Sequence, residues 1–165
     1  MRSASYRVPG SCTARNIHTS SAHVQIRAFK SDDQEAVIAL WRQCDLVRPW
    51  NDPKRDIQRK MQVRPDLFLV DVVNGEIVAS VMAGYEGHRG WLNYLAVAPE
   101  FQRRGYGRAI VAAAEALLRE AGAPKINLQI RTSNKAVIEF YGRLGYSIDD
   151  VVSMGKRLER DEGAV

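Results

Sequence analysis

The chain has 165 residues, 45% of them apolar and 26% charged, with a net charge of +5. That is room for one domain with a sizeable core and cramped for two, and no apolar run is long enough to span a bilayer. Arg2, Arg7 and Arg15 carry three of the five net charges in an acid-free leader, which leaves the body near neutral, without the basic, aromatic-studded stripe of a nucleic-acid surface.

Two cysteines, Cys12 and Cys44, make neither a disulfide framework nor a metal-ligand spacing. The expectation is a reduced, cytoplasmic protein with no metal and no nucleic-acid or membrane partner. Residues 1–22, rich in Ser, Arg, Thr and Ala, are expected to be a disordered extension ahead of one domain over 23–165. A transit peptide shares that composition, but the amphipathic stripe it needs is missing.

Val24 to Lys30 alternates apolar and polar residues and predicts a half-buried strand. Ser31 predicts an N-cap, and Ala36, Val37, Leu40, Trp41 and Cys44 recur at helical spacing as an inward stripe. Pro49 and Pro53 break the chain, and Asn51 or Asp52 then caps a second helix running to about Gln62. Leu67–Val73, the turn Asn74-Gly75 and Glu76–Tyr85 predict a β-hairpin. Trp91–Val97 is a fourth strand. A helix with Ile110, Val111, Ala114, Leu117 and Leu118 on one face ends near Gly122, and Lys125–Ile130 is a fifth strand. A last helix runs from about Asn134 to Gly145, and Tyr146–Asp149 and Val151–Leu158 are expected to close the sheet. The fold class is α/β: one mixed sheet of about seven strands flanked by four helices.

Between the fourth strand and the third helix lies Gln102-Arg-Arg-Gly-Tyr-Gly-Arg108. Gly105 and Gly107 let the backbone approach a ligand, the helix start offers free N–H groups, and Arg103, Arg104 and Arg108 add charge for a diphosphate. A P-loop would end in Gly-Lys-Ser/Thr, and this loop ends Gly107-Arg108-Ala109. A dinucleotide fingerprint needs a third glycine where Ile110 stands and an acid where Lys125 and Ile126 stand.

The pattern Gln102-x-x-Gly105-x-Gly107, entered from Leu95-Ala96-Val97, resembles the acyl-CoA signature of the GNAT (GCN5-related) N-acetyltransferases. Asn134-Lys-Ala-Val-Ile-Glu-Phe-Tyr-Gly-Arg-Leu-Gly-Tyr146 is similar to that superfamily's later helix. Leu40 to Pro53, with Gly84 to Gly90, also resembles the bacterial YpeA-type acetyltransferases. The resemblance implies the GNAT fold and acetyl-CoA as co-substrate, held by Leu95, Ala96, Val97, Gln102, Arg103, Arg104, Gly105, Tyr106, Gly107, Arg108 and Asn134. It implies Tyr141 as the acid that protonates the leaving thiolate, with Phe140 turned into the core and Tyr141 toward the cleft. It also implies an N-acetyltransferase acting on a primary amine of a small molecule or a protein, and pairing of exposed sheet edges in a homodimer.

The acceptor amine must lose a proton, and the fourth strand offers Asn93 where an acid would serve. Glu86 is therefore the catalytic-base candidate and His88 its substrate-side neighbour. Asp45, Arg48 and Trp50, in the linker between the first two helices, are the other substrate candidates, against the plainer reading of a surface ion pair beside a packed indole. A non-catalytic acyl-CoA-binding regulatory module is the rival function, because the base has no obvious owner.

Overall fold

The structure, a computed structural model, describes residues 24–159, so the extension expected over 1–22 lies outside the described residues. Strands β1 (Val24–Ala28), β2 (Phe68–Val73), β3 (Glu76–Tyr85), β4 (Gly90–Val97) and β5 (Ile126–Leu128) form one sheet in the order β1-β2-β3-β4-β5. The first four pair antiparallel and β5 joins β4 in parallel, through a crossover made by helix α3 (Tyr106–Glu120). Helices α1 (Gln34–Gln43) and α2 (Pro53–Gln62) cover one face. Helices α3 and α4 (Lys135–Arg143) cover the other.

Local chemistry accounts for most boundaries. Asn74 and Gly75 both sit at positive φ (51° and 87°), the requirement of the tight hairpin that Asn-Gly predicts. The Asp52 side chain accepts from the Lys54 N–H at 2.9 Å, capping α2, with Pro53 opening the helix. Helix α1 starts later than Ser31 predicts. A single 3-10 turn covers Ser31–Asp33, and Asp33 closes it by accepting from the Lys30 N–H and from Arg27 at 2.6 Å. Its buried face uses Val37, Ile38, Leu40 and Trp41, while Ala36 is exposed.

The core on the α1/α2 face is built on stacked rings. Phe29 lies 4.4 Å from Phe68, and Trp41 lies between Phe68 (6.1 Å) and Tyr94 (4.1 Å). The Trp41 indole N–H donates to the buried Ser80 hydroxyl at 2.9 Å, so the largest core side chain leaves no donor unpaired.

The two closing strands expected over 146–158 are not formed. Among the described residues, the chain beyond α4 carries no strand, and Ile148, Val151, Val152, Met154 and Leu158 are 76–90% exposed. Side chains tie this segment down: Lys125 to Asp149, Gln129 to Ser153, and Arg157 to the Trp50 carbonyl at 3.0 Å. Alternating apolar residues fit a pleat, but a strand also needs a backbone partner, and β5 is only three residues long.

One buried group opposes the fold. Asp71 pairs in register with Ile26 and Ala79 on the α3 face, is fully buried, and neither carboxylate oxygen has a hydrogen-bond partner among the described residues. Burial raises its pKa, and the neighbouring Val72 amide offsets part of that. Both states are neutral below the unfolded pKa of about 4, so the penalty is absent there and grows as pH rises to the folded value. We expect Asp71→Val to stabilise the protein by roughly 1–3 kcal/mol at neutral pH. That gain should shrink toward pH 4, where only the cost of burying a neutral carboxyl remains, read as the difference between urea denaturation curves of wild type and variant. A pH-independent difference would show that the carboxylate is not the cause.

Candidate active site

The site begins where the sheet stops being regular. Ser80 pairs with Ala96 and Met82 with Asn93, so two residues of β4, Tyr94 and Leu95, stand opposite the single Val81. Tyr94 takes φ 51°, a left-handed conformation that is sterically strained for a tyrosine. Its ring stacks on Trp41, its carbonyl accepts from the Ser80 hydroxyl at 3.4 Å, and its phenol donates to Asp56 Oδ2 at 2.6 Å. Pairing between β4 and β5 ends at Leu92 with Leu128. Beyond it, no described strand pairs with the far edge of Asn93 to Val97. The Val97 carbonyl accepts from Gln102 Nε2 at 3.0 Å and from the Cys44 thiol at 3.3 Å.

Leu95-Ala96-Val97 then delivers the chain through a 3-10 turn, Pro99–Phe101, to the glycine loop. Arg103 (φ 59°) and Gly105 (φ 94°) are both left-handed, and this reversal lets α3 start at Tyr106. No side chain caps α3, so its first amides face outward unpaired by any cap. Residues 102–105 and Arg108 are exposed, and Arg104 lies over the Phe101 ring at 5.6 Å. The two glycines serve different ends. Gly105 supplies a positive φ with open space around it. Gly107 supplies closeness, since a Cβ there would stand 3.3 Å from the Phe140 ring and 3.5 Å from Val97.

Helix α4 brings its aromatics to this point in the reverse of the expected order. Phe140, half-buried, is the ring against Gly107, while Tyr141 is 5% exposed and belongs to the α3-face core. Tyr141 lies edge-on to Phe140 (5.1 Å) and to Tyr146 (5.2 Å), one aromatic ring behind the loop. Its hydroxyl has no hydrogen-bond partner among the described residues. Burial, with the nearby Glu115 charge, raises its pKa. Tyr146, by contrast, donates to Glu115 at 2.8 Å. Asn134 caps α4 by accepting from the Val137 N–H at 3.3 Å.

The other candidates divide. Glu86 accepts from the backbone N–H groups of Arg89 and His88, which hold its carboxyl below the usual range, so it is the clasp of its own turn. The Tyr85 phenol donates to the Gly122 carbonyl at 3.2 Å, placing that turn at the C-terminal end of α3. The helix puts about 22 Å between it and the glycine loop. The structure therefore places Glu86 and His88 in a turn at the opposite end of α3 from the glycine loop, with the Glu86 carboxylate engaged by backbone amides. Asp45 and Arg48 form the surface pair of the plainer reading, at 2.9 Å. Trp50 is exposed, with Arg131 5.8 Å from its ring.

Sequence reasoning passed over Asp56 and Tyr94. An open groove of about 720 Å³ runs between α2 and the C-terminal segment, lined by Asn51, Asp56 and Arg59 on one side and residues 155–159 on the other. An acid in the first turn of a helix looks like a complement to the helix dipole, and nothing local signals that strand β4 will bulge toward it.

Residues 35–146 match the Acetyltransferase (GNAT) family. An acetyltransferase of Pectobacterium atrosepticum is 54% identical over 138 residues, 84% of this chain and 98% of that protein. One from Sodalis glossinidius is 51% identical over 140 residues, 84% and 99% of the two chains. Among solved structures, the aminoglycoside N-acetyltransferase AAC(6')-Iy in complex with CoA shares the fold, with TM-score 0.67 at 16% identity, covering 85% of this chain and 98% of that one.

Replacing Gly105 by Ala forces a Cβ into a left-handed conformation at a cost of roughly 1–2 kcal/mol. We expect the melting temperature to fall by roughly 2–8 °C. Differential scanning calorimetry checks this, and an unchanged midpoint would mean that the loop does not need that φ.

Proposed function

Because this chain belongs to the GNAT acetyltransferase family, we propose that it transfers an acetyl group from acetyl-CoA to a primary amine of a small molecule or a protein. The observation that carries the reading is continuity: a strand edge that no described strand covers beyond Leu92 leads, through one turn and the glycine loop, to helix amides without a side-chain cap. Acetyl-CoA supplies an activated thioester; the chain's own residues do the rest. The N-terminal amides of α3 and Arg103, Arg104 and Arg108 hold the diphosphate. The edge of Leu95 to Val97, which no described strand covers, takes the pantetheine amides as a short added strand. The bulge at Tyr94 and Leu95 breaks the ladder, so that a backbone N–H points at the negative charge developing on the carbonyl oxygen. Tyr141, protonated and without another partner, gives a hydrogen bond and then its proton to the departing sulfur.

The acceptor approaches from the α1/α2 side, across the linker that holds Trp50. The reading also places the protein in the cytoplasm. Among the described residues no helix is long and apolar enough to cross a membrane. The apolar side chains exposed over 148–158 support a homodimer.

Release of free thiol from acetyl-CoA in the presence of an amine library tests the reaction. Tyr141→Phe should lower kcat by on the order of 10²–10⁴ and leave CoA affinity unchanged. Unaltered turnover in that variant would remove Tyr141 from the donor role, and CoA binding with no thiol release under any amine would favour the regulatory module.

A further inference from the structure

We propose that Asp56 and Tyr94 form the acceptor-ammonium end of the groove, and that the groove selects amines carrying a carboxylate or phosphate over polycations. The inference rests on the transferase reading above and assigns the acceptor class that reading leaves open.

The first part follows from the Asp56 carboxylate. It stands on the wall of the groove with its side chain 20% exposed. Oδ2 accepts from the Tyr94 phenol at 2.6 Å and Oδ1 from Arg59 at 3.0 Å. A carboxylate has about four lone-pair sites, so these two bonds aim the group and leave it room for an N–H donor. The phenol that aims it belongs to the residue whose backbone makes the β4 bulge. An amine bound at Asp56 is thereby one tyrosine side chain from the site of acyl transfer. Trp41, stacked on Tyr94 at 4.1 Å, fixes that spacing.

The second part follows from the rest of the lining. Arg59, Lys156 and Arg157 face two acids, Asp56 and Glu159. Arg157 is spent on the Trp50 carbonyl and Asn51, tying the C-terminal segment to the linker. Lys156 has no partner among the described residues. A ligand with one ammonium and one anionic group satisfies Asp56 and Lys156 together. A polyamine satisfies the acids but leaves the Lys156 ammonium beside like charge with no anionic partner, a mismatch that opposes binding. The groove is open along its length and carries charged side chains on both walls, as an extended peptide end or an amino sugar phosphate would require.

The test uses three acceptors with acetyl-CoA: the dipeptide glycylglutamate (carboxylate), glucosamine 6-phosphate (phosphate) and spermidine (polycation). Each is assayed by thiol release and also titrated calorimetrically into CoA-saturated protein, so binding and turnover are read separately. We expect kcat/KM for at least one anionic amine to exceed that for spermidine by on the order of tenfold. Whichever anionic amine is preferred identifies the carboxylate or the phosphate as the source. Asp56→Asn should raise the acceptor KM about tenfold with CoA affinity unchanged. Lys156→Glu, on an exposed side chain that leaves the fold intact, should shift preference toward spermidine. Spermidine as the best acceptor, or a preference unmoved by Lys156→Glu, overturns the proposal even if Asp56→Asn fails to fold. Acceptor binding without thiol release would instead sink the transferase reading and leave the subsite standing.

Discussion

The bulge in β4 is the constraint from which the site follows. A tyrosine at φ 51° is strained by about 1–2 kcal/mol, and it persists only because its surroundings overdetermine it. Trp41 holds the ring, Ser80 the carbonyl and Asp56 the hydroxyl, three contacts from α1, β3 and α2. The same indole N–H that satisfies Trp41 lands on Ser80, so the core's largest buried side chain and the strained backbone share one hydroxyl. Loosening any of these contacts would remove part of what holds the two-for-one pairing opposite Val81 in place.

Two faces of the sheet thus serve two ends of one proposed reaction. On the α3/α4 face the glycine loop, Phe140 and Tyr141 form a layered wall, with Gly107 admitting Phe140 to van der Waals contact. On the α1/α2 face the groove beside Asp56 is open and flanked by charged side chains. Strand β4 is common to both. A parallel crossover from β4 to β5 is what makes this possible, because the strands part after Leu92 and the helix between them starts at the fork.

Much of this was legible because it is local. Asn74-Gly75 dictates its turn, Gly105 and Gly122 mark where left-handed backbone is needed, and Asn134 and Gly145 bound α4, all within a few residues of the feature they cause. What escaped depends on contacts distant in sequence. The bulge needs Trp41 and Asp56, 53 and 38 residues from Tyr94 along the chain in the first case by way of Ser80, and no window of residues around 94 contains them. Phe140 and Tyr141 were distinguishable by the helical wheel, but which of them met the loop depended on where Glu115 and Tyr146 stood. Glu86 looked chemically available because its charge was visible and the two amides it binds were not. The segment 146–158 had the period of a strand without a neighbour to pair with.

The environment of Tyr141 also bears on how it can act as a donor. Burial and the Glu115 charge both disfavour the phenolate, so a free thiolate in water, with a conjugate-acid pKa of about 8.5, would not take this proton. A thiolate leaving in the same desolvated layer is raised by the same burial, and the gap between the two groups narrows. In the proposed transfer the phenol would serve first as a fixed hydrogen-bond donor to sulfur as charge builds, and would give up its proton only once the carbon–sulfur bond has broken. Among the described residues its hydroxyl has no other partner, so in the proposed reaction no hydrogen bond would have to be given up before one to sulfur formed.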